Sequence, residues 1–111
     1  MEEAVLLAGI LDSLKDPILV ADTGHITRYM NKAAIAHYEG GAGLIGRSLL
    51  DCHNARSQRM MIDILAAMQN DGIDEQIMTD DEERRGYMCA VRDRGGNLLG
   101  YYERYEPAAP R

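Results

Sequence analysis

The chain contains no phenylalanine and no tryptophan, and six tyrosines supply all of its aromatic character. Apolar bulk must come from aliphatic side chains and methionine, which leaves less to fill an interior than rings would. Two cysteines among 111 residues are too few for a disulfide framework, so both read as reduced thiols or small buried hydrophobes. Long apolar runs are also missing. The longest nearly unbroken one covers residues 4–11, far short of the roughly 18 that a membrane-spanning helix needs. Glu2 and Glu3 carry the wrong charge for a signal peptide, and a cytoplasmic location is the expectation. Positive charge is in deficit: 12 Lys and Arg stand against 18 Asp and Glu, a net charge of −6. Such a surface argues against nucleic acid or an anionic membrane as partner. Repeats and low-complexity tracts are absent. What is present, 46% apolar and 27% charged residues, suits one folded domain with one core.

Residues 2–14 read as a helix, with acids in the first turn and Asp16-Pro17 closing it. Leu6, Ile10 and Leu14 make one stripe, Leu7 and Leu11 a second, and Val5 with Ala8 widens the band beyond what a single buried face requires. A second partner surface follows from that excess. Asp16 to Asn31 then reads as a β-hairpin feeding a helix. Pro17 marks a strand start, Asp22-Thr23-Gly24 supplies turn chemistry, and Asn31 stands at the N-cap position ahead of Lys32-Ala33-Ala34-Ile35-Ala36.

Gly40-Gly41-Ala42-Gly43 is a flexible joint, and no strand precedes it as a dinucleotide fingerprint would demand. One or two short turns follow over residues 44–51. The period of residues 55–70 predicts a longer helix with Met60, Met61, Ile64, Leu65 and Met68 on one face, stopped by Asp71-Gly72. The last third alternates as strands do: residues 73–79, 84–93 and 98–106, joined by Asp80-Asp81-Glu82-Glu83 and Arg94-Gly95-Gly96-Asn97. Consecutive hairpins give an antiparallel meander.

The order of these elements resembles a PAS sensory domain. Three pieces carry the resemblance: residues 17–24 leading into Tyr29-Met30-Asn31-Lys32-Ala33-Ala34; Leu44-Ile45-Gly46-Arg47-Ser48-Leu49; and residues 91–101, with Gly95-Gly96-Asn97 at the turn. It implies an α+β fold: a PAS-like five-stranded antiparallel sheet with helices on one face and an N-terminal flanking helix. Residues 1–15 would be an amphipathic dimerisation helix, 16–106 the PAS-like domain and 107–111 a disordered tail. The function implied is sensing or signal transduction, through a small ligand held between the longer helix and the sheet, through dimerisation, or both.

Family cofactors are weighed position by position. In flavin photosensors of this superfamily a reactive cysteine follows a Gly-Arg-Asn step; here Gly46-Arg47-Ser48 is followed by Leu49, and Cys52 comes too late. In haem-binding members the axial histidine falls near Gln58 to Met60, where Arg59 cannot ligate iron, although His53, Met60 or Met61 offer other axial ligands. The occupant therefore stays unnamed. Many relatives end in an Asp-Ile-Thr element coupled to an effector; Tyr105-Glu106-Pro107 stands there instead, which favours output through dimer geometry or a separate partner.

Cys52-His53-Asn54 is the one polar cluster that a generic scaffold does not require. Asn54 can cap the longer helix, whose free N–H groups suit an anion. Without a ligand, Cys52 is a small core residue and His53 a half-exposed loop side chain. Strand alternation, with Gly100 placed by its family counterpart, turns Tyr101 and Glu103 toward the helix-covered side, together with Leu99 and Tyr105. Met88 would face the longer helix. The candidate ligand residues are thus Cys52, His53, Met61, Leu65, Met88, Tyr101 and Glu103. His25 and His37 are expected in solvent. No serine has a nucleophile-elbow context and no metalloprotease, paired Cys-x-x-Cys or Walker pattern occurs, so the expectation is a non-enzyme with no metal site. Two alternatives stay open: a haem or metal–thiol redox or gas sensor using Cys52 and His53, and a ligand-free interaction module.

Overall fold

Pro17 has no amide hydrogen to give to a ladder, and the first strand begins just beyond it. In the computed structural model, which describes residues 1–108, β1 spans Leu19–Asp22 and β2 spans Thr27–Met30. The turn between them is tied by Asp22, whose Oδ1 accepts from Gly24 N at 2.9 Å and Ile26 N at 3.1 Å. An N-terminal helix, α1 (Glu3–Ser13), precedes this hairpin, and α2 (Lys32–His37) follows it. Two single 3-10 turns, Gly41–Leu44 and Leu49–Cys52, lead to α3 (Ala55–Asn70). Asn54 Oδ1 caps α3 by accepting from Ser57 N at 2.9 Å. Strands β3 (Glu75–Asp80), β4 (Arg84–Arg92) and β5 (Leu98–Pro107) complete the chain.

All five strands form one antiparallel sheet in the order β2-β1-β5-β4-β3. The fold expected from the sequence is the fold observed. Along the outer side of β2 runs the segment between the 3-10 turns: Gly46 N donates to Thr27 O, Thr27 N to Arg47 O, and Leu49 N to His25 O.

The four apolar residues of α3 that recur at helical spacing, Met61, Ile64, Leu65 and Met68, are buried. They pack on Leu19, Ala21, Met30, Met88 and Tyr101 from the sheet. Met60 belongs to the same expected stripe but stays 36% exposed. Burying a side chain such as Met61 or Leu65 is worth about 1.5–3 kcal/mol. This one face of the sheet is therefore where the fold draws its stability.

Asn31 joins three elements and is fully buried. Its Oδ1 accepts from Ala34 N and Ile18 N, both at 2.9 Å. Its Nδ2 donates to Leu11 O at 2.9 Å and Asp16 O at 3.0 Å. One amide thus caps α2, fixes the approach to β1 and holds the end of α1. Tyr29 adds a second tie, with its hydroxyl 3.2 Å from Asp12 Oδ1. Ala8, Leu11 and Asp12 are half-buried, and the rest of α1 is exposed. Val5, Leu6, Leu7, Ile10 and Leu14 are all exposed, and no residue of the helix is buried.

Three expectations need correction. Pro107 ends β5 opposite Arg84 instead of starting the tail, a ladder end being a place where proline's missing amide hydrogen is tolerated; residues 109–111 of the expected tail lie outside the described residues. A bulge opposite Val91 and Arg92 leaves Leu99 as the extra residue, 54% exposed, while Leu98 takes the core-facing place. His25 is not solvated. At φ 63° it lies in the left-handed region, which turns the ring inward until Nδ1 is 2.8 Å from the Tyr101 hydroxyl.

Burial pushes His25 below its ordinary value of 6.5, with Asp22 opposing. A base with a depressed folded pKa leaves the unfolded chain holding more protons, so this contribution to stability is lost as the pH falls below about 6.5. Calorimetric melting of wild type and His25→Asn, whose replacement tolerates positive φ, should give midpoints that converge from about pH 7 to pH 5. A separation that does not change with pH would contradict the burial of a neutral imidazole.

Candidate ligand-binding site

Strand β5 turns alternate side chains to the two faces of the sheet, and its inward set is Tyr101, Glu103 and Tyr105. Tyr101 disappears into the core, but Glu103 and Tyr105 reach a cavity of about 420 Å³. Its apolar wall is Leu19, Leu44 and Leu49; its polar wall is Tyr38, Glu103 and Tyr105; Glu39, Cys52 and His53 stand with them. The volume falls inside the roughly 300–1,000 Å³ typical of small-molecule sites. The 3-10 turns supply the roof. Tyr38 enters because α2 stops there and the chain turns through Gly40 at φ 91°, a conformation that suits glycine.

Glu103 is the chemical centre of this wall, at 5% exposure. Tyr38 donates its hydroxyl to Glu103 Oε2 at 3.1 Å and lies equally close to the Tyr105 hydroxyl; its one proton serves one of them at a time. Glu103 Oε1 has no hydrogen-bond partner, one of two such buried side-chain oxygens among the described residues, the other being Thr27 Oγ1. Burial pushes the Glu103 carboxyl up from its usual value, and the Tyr38 hydrogen bond, nearby His53 and hydrogen bonding from Tyr105 oppose this only in part. Burial likewise pushes the Tyr38 and Tyr105 hydroxyls up, reinforced by Glu103. Both therefore remain protonated donors.

Of the seven residues predicted from sequence, the structure brings Cys52, His53 and Glu103 around this cavity. Met61, Leu65, Met88 and Tyr101 lie instead in the closed core beside it, each no more than 4% exposed. Cys52 is exposed rather than a core residue. Cys89 is the buried thiol, and burial raises its pKa. Among the described residues no three His, Cys, Asp or Glu side chains gather closely enough to hold a metal ion. Sequence reasoning missed Tyr38, Glu39, Leu19, Leu44 and Leu49. Tyr105 was legible, sharing the two-residue period of Tyr101 and Glu103.

A five-stranded antiparallel sheet in this order, with helices and short turns over one face and a flanking N-terminal helix, is the PAS fold. Among solved structures the chain is similar to the PAS domain of BvgS from Bordetella pertussis, with a TM-score of 0.72, 15% identity, and coverage of 98% of this chain and 88% of that one. A C-terminal domain from Streptococcus mutans is similar at a TM-score of 0.76 and 20% identity, covering 94% and 84%. The PAS domain of nitrogen regulation protein NR(II) from Vibrio parahaemolyticus follows at 0.61 and 15%, covering 92% and 97%. No protein-family model and no curated protein matches the sequence. No helix among the described residues is long and apolar enough to cross a membrane.

Proposed function

We propose that the chain is a cytoplasmic, non-catalytic sensory module that holds a small molecule in the cavity of Tyr38, His53 and Glu103 and pairs with a second copy through α1. The carrying observation is Glu103: a buried carboxyl in a cavity wall, with one oxygen unpartnered. Leaving such a group unsatisfied costs about 1–3 kcal/mol, which a bound donor would recover. The similar PAS domains support a signalling role at the level of fold.

The route from cavity to pairing surface is short. Tyr38 is the C-cap of α2, and Asn31 is its N-cap. A ligand that displaces the Tyr38 hydroxyl from Glu103 acts on a six-residue helix whose other end holds the Leu11 carbonyl of α1. Pairing through α1 is supported by its four exposed large apolar residues, continued by Leu14 at its C-cap, and by the apolar groove that Leu11 and Leu14 share with Val20, Val91 and Tyr102.

Native mass spectrometry of the purified chain tests both parts at once. The expected spectrum is a dimer with a small molecule retained. Leu7→Asp combined with Leu11→Asp should give a monomer that still retains it. An unliganded monomer from the unaltered chain would overturn the proposal.

A further inference from the structure

The walls of the cavity contain two carboxyl groups and no lysine or arginine. Glu103 stands deep and Glu39 is exposed. His53 is the one basic side chain among the lining residues. Arg84 lies nearby, but its guanidinium sits 4.5 Å over the Tyr105 ring and 3.2 Å from His37 Nε2, engaged outside the cavity lining. An anionic ligand would find no fixed cation here and would meet Glu39 beside it. A hydrogen-bond donor would find in this wall the carboxyl of Glu103, whose Oε1 is buried and has no hydrogen-bond partner.

Two phenol rings border the same space. Tyr38 and Tyr105 have centroids 6.5 Å apart at 50°, and their hydroxyls already serve Glu103 or each other. Aromatic walls close to a buried carboxyl group attract an organic cation, by ring electrostatics and by pairing with the carboxyl in its ionised form. The opposite wall, Leu19, Leu44 and Leu49, is aliphatic and suits the apolar body of such a molecule.

We infer that the cavity selects a small organic ammonium ion, its charged head on Glu103 between Tyr38 and Tyr105 and its apolar body against Leu44 and Leu49. This rests on the proposed use of the cavity as a ligand site and assigns the ligand's chemical class. Glu39 contributes attraction at longer range. Cys52 has no part in the selection.

Three probes that carry different heads on one phenethyl body decide the matter: phenethylammonium, 2-phenylethanol and 3-phenylpropionate, each titrated into the isotope-labelled full chain and followed by amide chemical shifts. Phenethylammonium is expected to shift the amides of Tyr38, His53 and Glu103. The alcohol should bind about tenfold to a hundredfold more weakly, the range that a hydrogen bond to a charged group spans. The carboxylate should bind more weakly than the alcohol. Glu103→Gln should reduce the ammonium probe to the affinity of the alcohol. If that variant fails to fold, Glu39→Gln, altered at an exposed position, should weaken the ammonium probe a few-fold in low salt and leave the alcohol unchanged.

Equal binding of ammonium and alcohol, tighter binding of the carboxylate, or full ammonium affinity in a folded Glu103→Gln overturns the assigned class while the cavity stands as a ligand site. Absence of shifts at these amides with all three probes overturns the ligand site itself, and the class with it.

Discussion

Gly100→Ala is expected to be the most damaging single-methyl change in this chain. A Cβ at that position would stand 2.0 Å from the Ala21 carbonyl oxygen and 3.0 Å from both Ala21 C and Asp22 Cα. All three obstacles are backbone, so no rotamer change relieves them. The contact lies between β1 and β5, where Gly100 pairs with Asp22 and Tyr101 with Ala21. Separating these strands would disturb the wall that carries Glu103, which pairs with Leu19 in the same ladder. Overpacking usually costs about 1–3 kcal/mol, and a rigid backbone obstacle puts this case at roughly 3 kcal/mol or more. For a domain of this size the melting midpoint should fall by about 12 °C or more. Gly9→Ala is the control: a Cβ there meets nothing within 4 Å and lies in α1, so stability should hold or rise slightly. Equal midpoints for the two variants would refute the close approach of the strands.

Asn31 should show the second large effect, and its two substitutions separate two roles. Asn31→Ala removes four hydrogen bonds from a fully buried position, leaving Ile18 N without a partner, Leu11 O with only the Leu14 amide and Asp16 O to solvent. With about 1 kcal/mol from the lost cap and about 1–3 kcal/mol for the unpaired Ile18 amide, a loss of roughly 2–4 kcal/mol follows. Asn31→Asp keeps the acceptor for Ile18 and Ala34 but turns an oxygen toward two carbonyls. The sheet should then persist while α1 lets go. Hydrogen exchange measures this directly: in Asn31→Asp the amides of α1 should lose protection well before those of β4 and β5. Uniform loss across the chain would mean that Asn31 supports the core without specifically holding the helix.

The helix α3 was legible from end to end because its signals agree: Asn54 at the cap, a 3.6-residue period of methionine and leucine, and Asp71-Gly72 at the stop. Asn31 was legible as a cap by residue type and place, but its bonds to Leu11 and Asp16 are tertiary, and no local pattern encodes them. The inward set of β5 was readable from Tyr101 to Tyr105, where alternation is unbroken. It failed at Leu98 and Leu99, because a bulge inserts one residue and reverses the faces beyond it.

The cavity was half visible for a similar reason. Glu103 follows from strand alternation, and Cys52 and His53 stand out as a polar cluster before α3. Tyr38 arrives 65 residues earlier in the chain than its hydrogen-bond partner. Its place depends on where α2 ends and how the glycines turn, and neither is fixed by hydrophobic pattern. His25 was misjudged because turn chemistry predicts the reversal of the chain without predicting which side chain the left-handed residue sends inward.

The backbone pairing of Gly46, Arg47 and Leu49 with Thr27 and His25 has a consequence for assembly. It occupies the rim beyond β2 over that stretch, so a fibre or foreign strand seeking main-chain partners meets a closed border there. At the opposite border, β3 has β4 as its sole sheet neighbour. There, the shift in register between Ile77 and Thr79 and the carboxylate of Glu75 interrupt a flat template. Accretion along this sheet is therefore polarised: one margin is sealed by the chain's own loop, and the other is roughened by its sequence.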